Sequence, residues 1–282
     1  CNPPSSGRLP ALRRQCLPII RLEDVTVTFK TRTGSILHPN KIQALKGVSL
    51  SLMPGETIGL VGESGCGKST TANVTIGLQK PTTGKVYFKG VDVTNRTAAD
   101  RRRIGRVISV VFQDPATALN ARMSIHDQLL DPMLVHKIGD KESREKRVYE
   151  LIEQVGLPVS VMDALPGQLS GGQRQRVAIA RALSLQPDAI IADEPTSALD
   201  VSVRAQILNL LMDLKKDLGL AMVFISHDIQ TVRYISDRII VMNGGRPVEE
   251  GTAEQVFNNP RDEYTKLLLG AAPSLLYPDL GK

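Results

Sequence analysis

Apolar and polar positions along the chain change rhythm in a way that separates strands from helices. From Ile19, IIRLEDVTVTF alternates and is rich in β-branched residues, which predicts a half-buried strand. A second strand is predicted from Ala44 to Leu52, closed by Pro54-Gly55. ETIGLVG is a short apolar strand that runs into glycines, and KSTTANVTIGL behind it reads as a helix. GKVYFKGVDV has the pattern of a hairpin, and RVISVVF (106–112) that of an apolar strand ending at Gln113.

The rhythm then changes. Residues 114 to about 168 contain no apolar strand; SREKRVYELIEQV sets Val148, Leu151, Ile152 and Val155 at helical spacing, with Gly156 as the stop. This predicts a helical insertion. After residue 169 the alternation returns: a helix that stops near Pro187, the strand DAIIADE, and a helix over VSVRAQILNLLMDLKKDL with Ile207, Leu211, Leu214 and Leu218 on one face and Gly219 at its end. LAMVFIS is a strand, DIQTVRYIS a helix, and DRIIVMNGGRPVEEG two strands around Gly244-Gly245. Two short helical pieces and a Pro-containing tail follow residue 252. Strands alternating with helices predict an α/β architecture, a mostly parallel sheet covered by helices.

Composition narrows the class only slightly. A net charge of +6, from 35 basic and 29 acidic residues, is a mild excess that suits an anionic ligand, a position near an anionic membrane or, equally, an ordinary basic surface. Aromatics are 4% of the chain and Trp is absent, which argues against base stacking as the main binding mode; no nucleic-acid partner is expected. Cys1, Cys16 and Cys66 have no metal-ligand spacing and point to a reducing compartment. No run of about 18 apolar residues predicts a membrane span. Residues 1–18, rich in Pro, Arg and Ser, are expected to be a disordered arm or an extension upstream of the natural start.

The chemistry lies in three stretches. GESGCGKST fits G-x-x-x-x-G-K-[ST], and it follows an apolar strand and opens a helix, the context this motif requires. In this loop Gly62, Glu63, Ser64, Gly65, Cys66, Gly67, Lys68, Ser69 and Thr70 are the candidate nucleotide-binding residues. Backbone N–H groups and the helix N-terminus face the phosphates, Lys68 reaches the β- and γ-phosphates, and the Ser69 hydroxyl can ligate Mg²⁺. AIIADE ends a buried strand in two acids. Alone, such a pair is an ordinary solvated strand end; beside a phosphate loop, Asp193 is a hard oxygen ligand for Mg²⁺ and Glu194 a general base for the attacking water. LSGGQRQRVAIARAL looks like a second phosphate cradle, with Ser170 as helix cap and Gly171 and Gly172 exposing N–H groups.

LSGGQ, followed by QRVAIARAL and then a strand ending in Asp-Glu, resembles the ATP-binding-cassette (ABC) ATPases from about residue 19 to 270. The resemblance implies a P-loop NTPase (RecA-like) α/β fold, with a mostly parallel sheet core, a small antiparallel β subdomain and an inserted α-helical subdomain at about 114–168. It implies an ATPase domain over 19–250 and a C-terminal helical extension and tail over 251–282. In that family two cassettes pack head to tail, and each signature caps the γ-phosphate on its partner. The second cradle, Ser170, Gly171, Gly172 and Gln173, with Asp200 of SALD, would therefore serve another subunit's ATP. By the same resemblance Gln113 is the glutamine that senses Mg²⁺ and γ-phosphate, His227 the histidine that contacts γ-phosphate, and Phe29 the aromatic that stacks on adenine. The catalytic set is Glu194, His227, Lys68 and Gln113; Ser69, Gln113 and Asp193 are the Mg²⁺ set.

FQDP through ALNARMSI and NPRDEYTKLLL resemble the oligopeptide/dipeptide/nickel importer branch. Ala121 stands where that branch carries Pro, and Asp262-Glu263 where it carries His-Pro. The tail has no Cys, so no iron–sulfur cluster is expected. The branch implies two membrane permeases, a second ATPase (a paralogue or this chain itself), an extracytoplasmic solute-binding protein acting indirectly, and a peripheral position on the cytoplasmic face of a bacterial inner membrane. The alternative is a non-transport cassette acting on DNA or ribosomes; those usually carry two cassettes in one chain, a long coiled coil or zinc-finger cysteines, and none is present.

Overall fold

In chain order the computed structural model runs β1 (Ile20–Ser35), β2 (His38–Leu52), β3 (Thr57–Val61), α1 (Lys68–Ile76), β4 (Thr83–Phe88), β5 (Val91–Asp92), α2 (Ala98–Val107) and β6 (Ile108–Val111). Next come α3 (Pro115–Ala118), α4 (Ile125–Val135), α5 (Lys141–Gln154), α6 (Gly171–Leu183), β7 (Ala189–Asp193), α7 (Val201–Leu218) and β8 (Ala221–Ser226). The chain closes with α8 (Ile229–Ile235), β9 (Arg238–Asn243), β10 (Arg246–Thr252), α9 (Ala253–Asn258) and α10 (Glu263–Ala271). The structure describes residues 17–35 and 38–271. Cys1, Cys16, nearly all of the expected N-terminal arm and the tail from 272 lie outside them.

The larger sheet has the order β10-β9-β3-β8-β7-β6. All pairings in it are parallel except β9 with β10. Its central strands are mostly apolar because both faces are covered, with polar residues only at their ends: Thr57 of β3, Asp193 of β7 and Ser226 of β8. Ile190 and Ala192 of β7, with Met222 and Phe224 of β8, pack into one core; Ala189, Ile191, Val223 and Ile225 pack into the other. The second core lies under the smaller antiparallel sheet, ordered β2-β1-β4-β5. In β1 the buried positions are Ile20 and Leu22, then Val25 and Val27; the register shifts between Leu22 and Val25, where Asp24 adopts φ 46°. That bulge keeps the apolar side chains inward across the shift.

The first core runs without a break into the helical segment. Ile125, Leu129 and Met133 of α4 and Val148, Leu151 and Ile152 of α5 join Ile179 of α6 and the sheet in one cluster. The helical spacing of Val148, Leu151, Ile152 and Val155 therefore does mark a buried face.

Three details differ from expectation. Arg106 and Val107 end α2 rather than begin a strand. That helix, started by a reciprocal cap between Thr97 and Asp100, has one buried residue, Ile104, and a run of arginines in place of a core face. The second strand begins at His38, well before Ala44. Leu218, the last residue of α7 before Gly219 (φ 64°), is 41% exposed, so the buried face of the helix ends at Leu214.

Candidate active site

The loop after β3 is shaped by backbone that only glycine tolerates. At Gly62 (φ 152°) a Cβ would sit 2.2 Å from the Met242 carbonyl oxygen, and at Gly67 (φ 107°) it would sit 2.9 Å from that of Ala44. Gly67 caps α1, whose first N–H groups then point into the loop. The Lys68 ammonium donates to the carbonyl oxygens of Gly62 at 2.6 Å and Glu63 at 3.0 Å. It is thus held over the loop while its residue is buried. Cys66 is buried beside it, and burial pushes the thiol up. A thiol so held is a small filler rather than a reactive group.

β7 brings its two acids to the same end of the sheet. The Ser69 hydroxyl lies 3.5 Å from Asp193 Oδ1. Burial pushes the Asp193 carboxyl above the ordinary carboxylate range; the Ser69 hydroxyl pulls the other way, and the Glu194 charge adds to the rise. Glu194 itself adopts φ 47°, a left-handed conformation unusual for a non-glycine residue. Its amide donates to the Ile225 carbonyl at 2.9 Å, and its Oε2 lies 3.3 Å from Nδ1 of His227, which follows β8 directly. Loop lysine, hydroxyl, two carboxylates and imidazole therefore meet at the carboxyl ends of β3, β7 and β8. Ligands of open α/β sheets bind at this end.

A half-buried carboxyl raised in this way, beside a second carboxylate and a hydroxyl, is a set of hard oxygen donors. A small divalent cation would relieve its charge, so these residues fit Mg²⁺. Gln113 is exposed two residues beyond β6 and has no hydrogen bond to Ser69 or Asp193. Phe29 is 41% exposed and lies across from exposed Ile42 on β2, so the small sheet presents an apolar pair to solvent.

The 170–173 turn is built differently. Ser170 Oγ accepts from the Gln173 amide, and Gln173 Oε1 accepts from the Ser170 amide at 2.9 Å, a reciprocal cap that opens α6. The Gln173 side chain is therefore engaged with its own helix. A Cβ on Gly172 would meet Val203 Cγ1 of α7 at 2.7 Å, so this glycine also lets two helices approach. Asp200 precedes α7 and makes no capping bond, which leaves its carboxylate exposed. Among the described residues no hydrogen bond or ion pair joins this turn to the 62–70 loop.

Sequence reading did not place Tyr264 here. Its phenolic oxygen accepts from the Glu63 amide at 3.0 Å, across 201 positions of sequence. The available signal was the segment NPRDEYTKLLL, read only as a mark of the branch.

Comparison with known proteins gives a consistent result. The family description "ABC transporter" matches residues 45–197. A dipeptide transport ATP-binding protein of Haemophilus influenzae is 46% identical over 92% of this chain and 79% of its own length. An oligopeptide transport ATP-binding protein of Bacillus subtilis is 44% identical over 90% of this chain and 78% of its own. Among solved structures, a dimeric ATP-binding cassette in a post-hydrolysis state bound to ADP and Pi has a TM-score of 0.73 at 34% identity, covering 83% of this chain and 98% of that one.

Proposed function

The chain belongs to the ABC transporter family, and from this premise we propose that it is the ATP-hydrolysing subunit that drives import of peptides, or a similar small polar solute, through separate permeases. ATP binding and hydrolysis follow from the family. The solute class is supported by the peptide-transport relatives and by the FQDP and NPRDEYTKLLL segments.

The observation that carries the mechanism is the meeting of Lys68, Ser69, Asp193, Glu194 and His227 at one end of the sheet. Lys68 and the α1 N-terminus take the β- and γ-phosphates, and Phe29 offers its face to adenine. Ser69 and Asp193, with Gln113, would hold Mg²⁺. When bound, the metal neutralises charge that develops on the phosphate oxygens. Glu194 accepts the proton of the attacking water. His227, 3.3 Å from that carboxylate, orients it and reaches the γ-phosphate. Glu194 is carried by backbone bonds on an unusual φ, so its carboxylate is aimed before substrate arrives.

The 170–173 turn, unconnected to its own phosphate loop, suits the nucleotide on a second ATPase, either this chain or a paralogue. No helix among the described residues is long and apolar enough to cross a membrane. The permeases would supply the path, docking on the helical segment of about 114–168. A solute-binding protein outside the membrane would deliver cargo to them. The working site is then the cytoplasmic face of a bacterial inner membrane.

A tagged pull-down from detergent-solubilised membranes, read by mass spectrometry, tests this. Two multi-span permeases among the recovered proteins are expected. Ribosomes or DNA-bound proteins without any membrane subunit would overturn the transport reading.

A further inference from the structure

The Gly62–Glu63 peptide is gripped at both ends. Its carbonyl oxygen accepts from Lys68 Nζ at 2.6 Å, and its N–H donates to the Tyr264 hydroxyl oxygen at 3.0 Å. A trans peptide is rigid and its C=O and N–H point in opposite directions. Fixing the N–H therefore fixes the carbonyl that orients the lysine. Gly62 has no side chain to restrict rotation of this plane. The tyrosine supplies the restraint from outside the loop.

Tyr264 is itself held firmly. Its amide donates to Asp262 Oδ1 at 2.9 Å, and its ring packs against the first core. The Arg261 and Asp262 amides donate to the two oxygens of Glu249 at 2.9 and 3.0 Å. Burial pushes the Glu249 carboxyl up, but hydrogen bonds led by the Arg261 amide outweigh this and leave it below its ordinary value. Glu249 lies on β10 opposite Val241 of β9, and β9 pairs with β3, the strand that enters the loop. The C-terminal helix thus closes a circuit that begins and ends at the phosphate loop.

We propose that Tyr264 is a positioning residue for ATP: it locks the Gly62–Glu63 peptide plane and through it sets Lys68, so the seating of α10 tunes nucleotide affinity. This rests on the assignment of the 62–70 loop as the ATP site.

The test is Tyr264→Phe in the full chain, which keeps the ring and removes the oxygen. Equilibrium binding of ATP and of a fluorescent ATP analogue is expected to weaken roughly three- to tenfold, the usual net effect of one hydrogen bond. KM for ATP rises in step, while kcat at saturating ATP stays within about twofold, as for lost uniform binding. Hydrogen exchange at the Glu63 amide speeds up. Glu249→Gln weakens binding in the same direction, and the double variant loses less than the sum of the two, because both act on one chain of contacts. Leu267→Ala, on the exposed face of the same helix, leaves affinity unchanged. Wild-type affinity and KM in Tyr264→Phe would overturn the proposal, as would a lower melting temperature with unchanged KM, which marks a merely structural tyrosine. Failure of the wild-type chain to bind ATP would instead remove the ATP-site assignment beneath it.

Discussion

Replacing Glu194 by Gln changes one carboxylate oxygen into an amide nitrogen of nearly the same size. The unusual φ of 47° should survive, because backbone bonds maintain it. The Glu194 amide donates to Ile225 O at 2.9 Å, and its carbonyl accepts from Ser197 N at 3.2 Å and Ser197 Oγ at 3.1 Å. Among the described residues the side chain's partner is His227 at 3.3 Å, and an amide can still meet an imidazole. Stability should therefore move by no more than about 0.5 kcal/mol. ATP affinity should change less than about threefold, since the loop and Lys68 are untouched. What disappears is the proton acceptor. A general base contributes roughly 10²–10⁴ in rate. That is about 2.7–5.4 kcal/mol of barrier. Loss of the neighbouring charge also removes one of the influences that raise Asp193, so that carboxyl ionises more readily in the variant. Phosphate release at saturating ATP, equilibrium nucleotide binding and a thermal melt measure the three quantities separately. A kcat within about threefold of the parent would refute the base assignment. A comparable kcat with a tenfold loss of affinity would move Glu194 from catalysis to binding.

Gly59→Ala should destabilise the fold without touching the site: the new Cβ would lie 2.2 Å from Val232 Cγ1 and 2.4 Å from Ser236 Oγ of the α8 region. Overpacking of about 1–3 kcal/mol should lower Tm by about 2–10 °C, and an unchanged melt would refute the packing. Ser170→Ala removes a helix cap worth about 1 kcal/mol; if the turn also serves a partner's nucleotide, turnover should fall more than tenfold, far beyond what that stability loss explains, and equal small losses would leave it a cap alone. Hydrogen bonding to Glu145 raises His126 above its ordinary 6.5, against a smaller opposing effect of burial. Its contribution to stability should then be full below pH 6.5 and vanish as pH rises through the raised folded value. Thermal melts of the parent and His126→Gln across pH 5–9 should converge at the alkaline end, and a constant gap would exclude this linkage.

The central strands were legible because burial on both faces leaves an unbroken apolar run, Ala189–Ala192 in β7 and Ala221–Ile225 in β8, before each ends on a polar residue. Elements at the surface were harder. α2 has four arginines and one buried side chain, so its apolar side is too short to stand out from the run RVISVVF read as the next strand; the local sign was its cap, Thr97-x-x-Asp100. The first residues of β2 are polar and were passed over. At the site, the phosphate loop was legible because its chemistry compresses glycines, lysine and serine into nine consecutive residues. The distance between Glu194 and His227 was not, since it depends on β7 and β8 lying side by side. Tyr264 was least legible: its tie to the loop depends on the folding back of α10 over β10, and no local pattern records that.

The helical segment shares one apolar cluster with the sheet, from Ile125 and Leu129 through Ile179 to Phe224 and Val241. It is therefore not a separable module. Transplanting residues 114–168 from a relative would replace half of a jigsaw and leave the other half cut for different pieces, with voids and clashes at the seam. If the proposed permeases dock on this segment, a lineage that acquires a new membrane partner is steered toward changing exposed side chains such as Leu134, Val135 and Tyr149 one at a time. Divergence among such transporters should concentrate on that outer skin, while the inner faces of α4 and α5 drift only in concert with the strands beneath them.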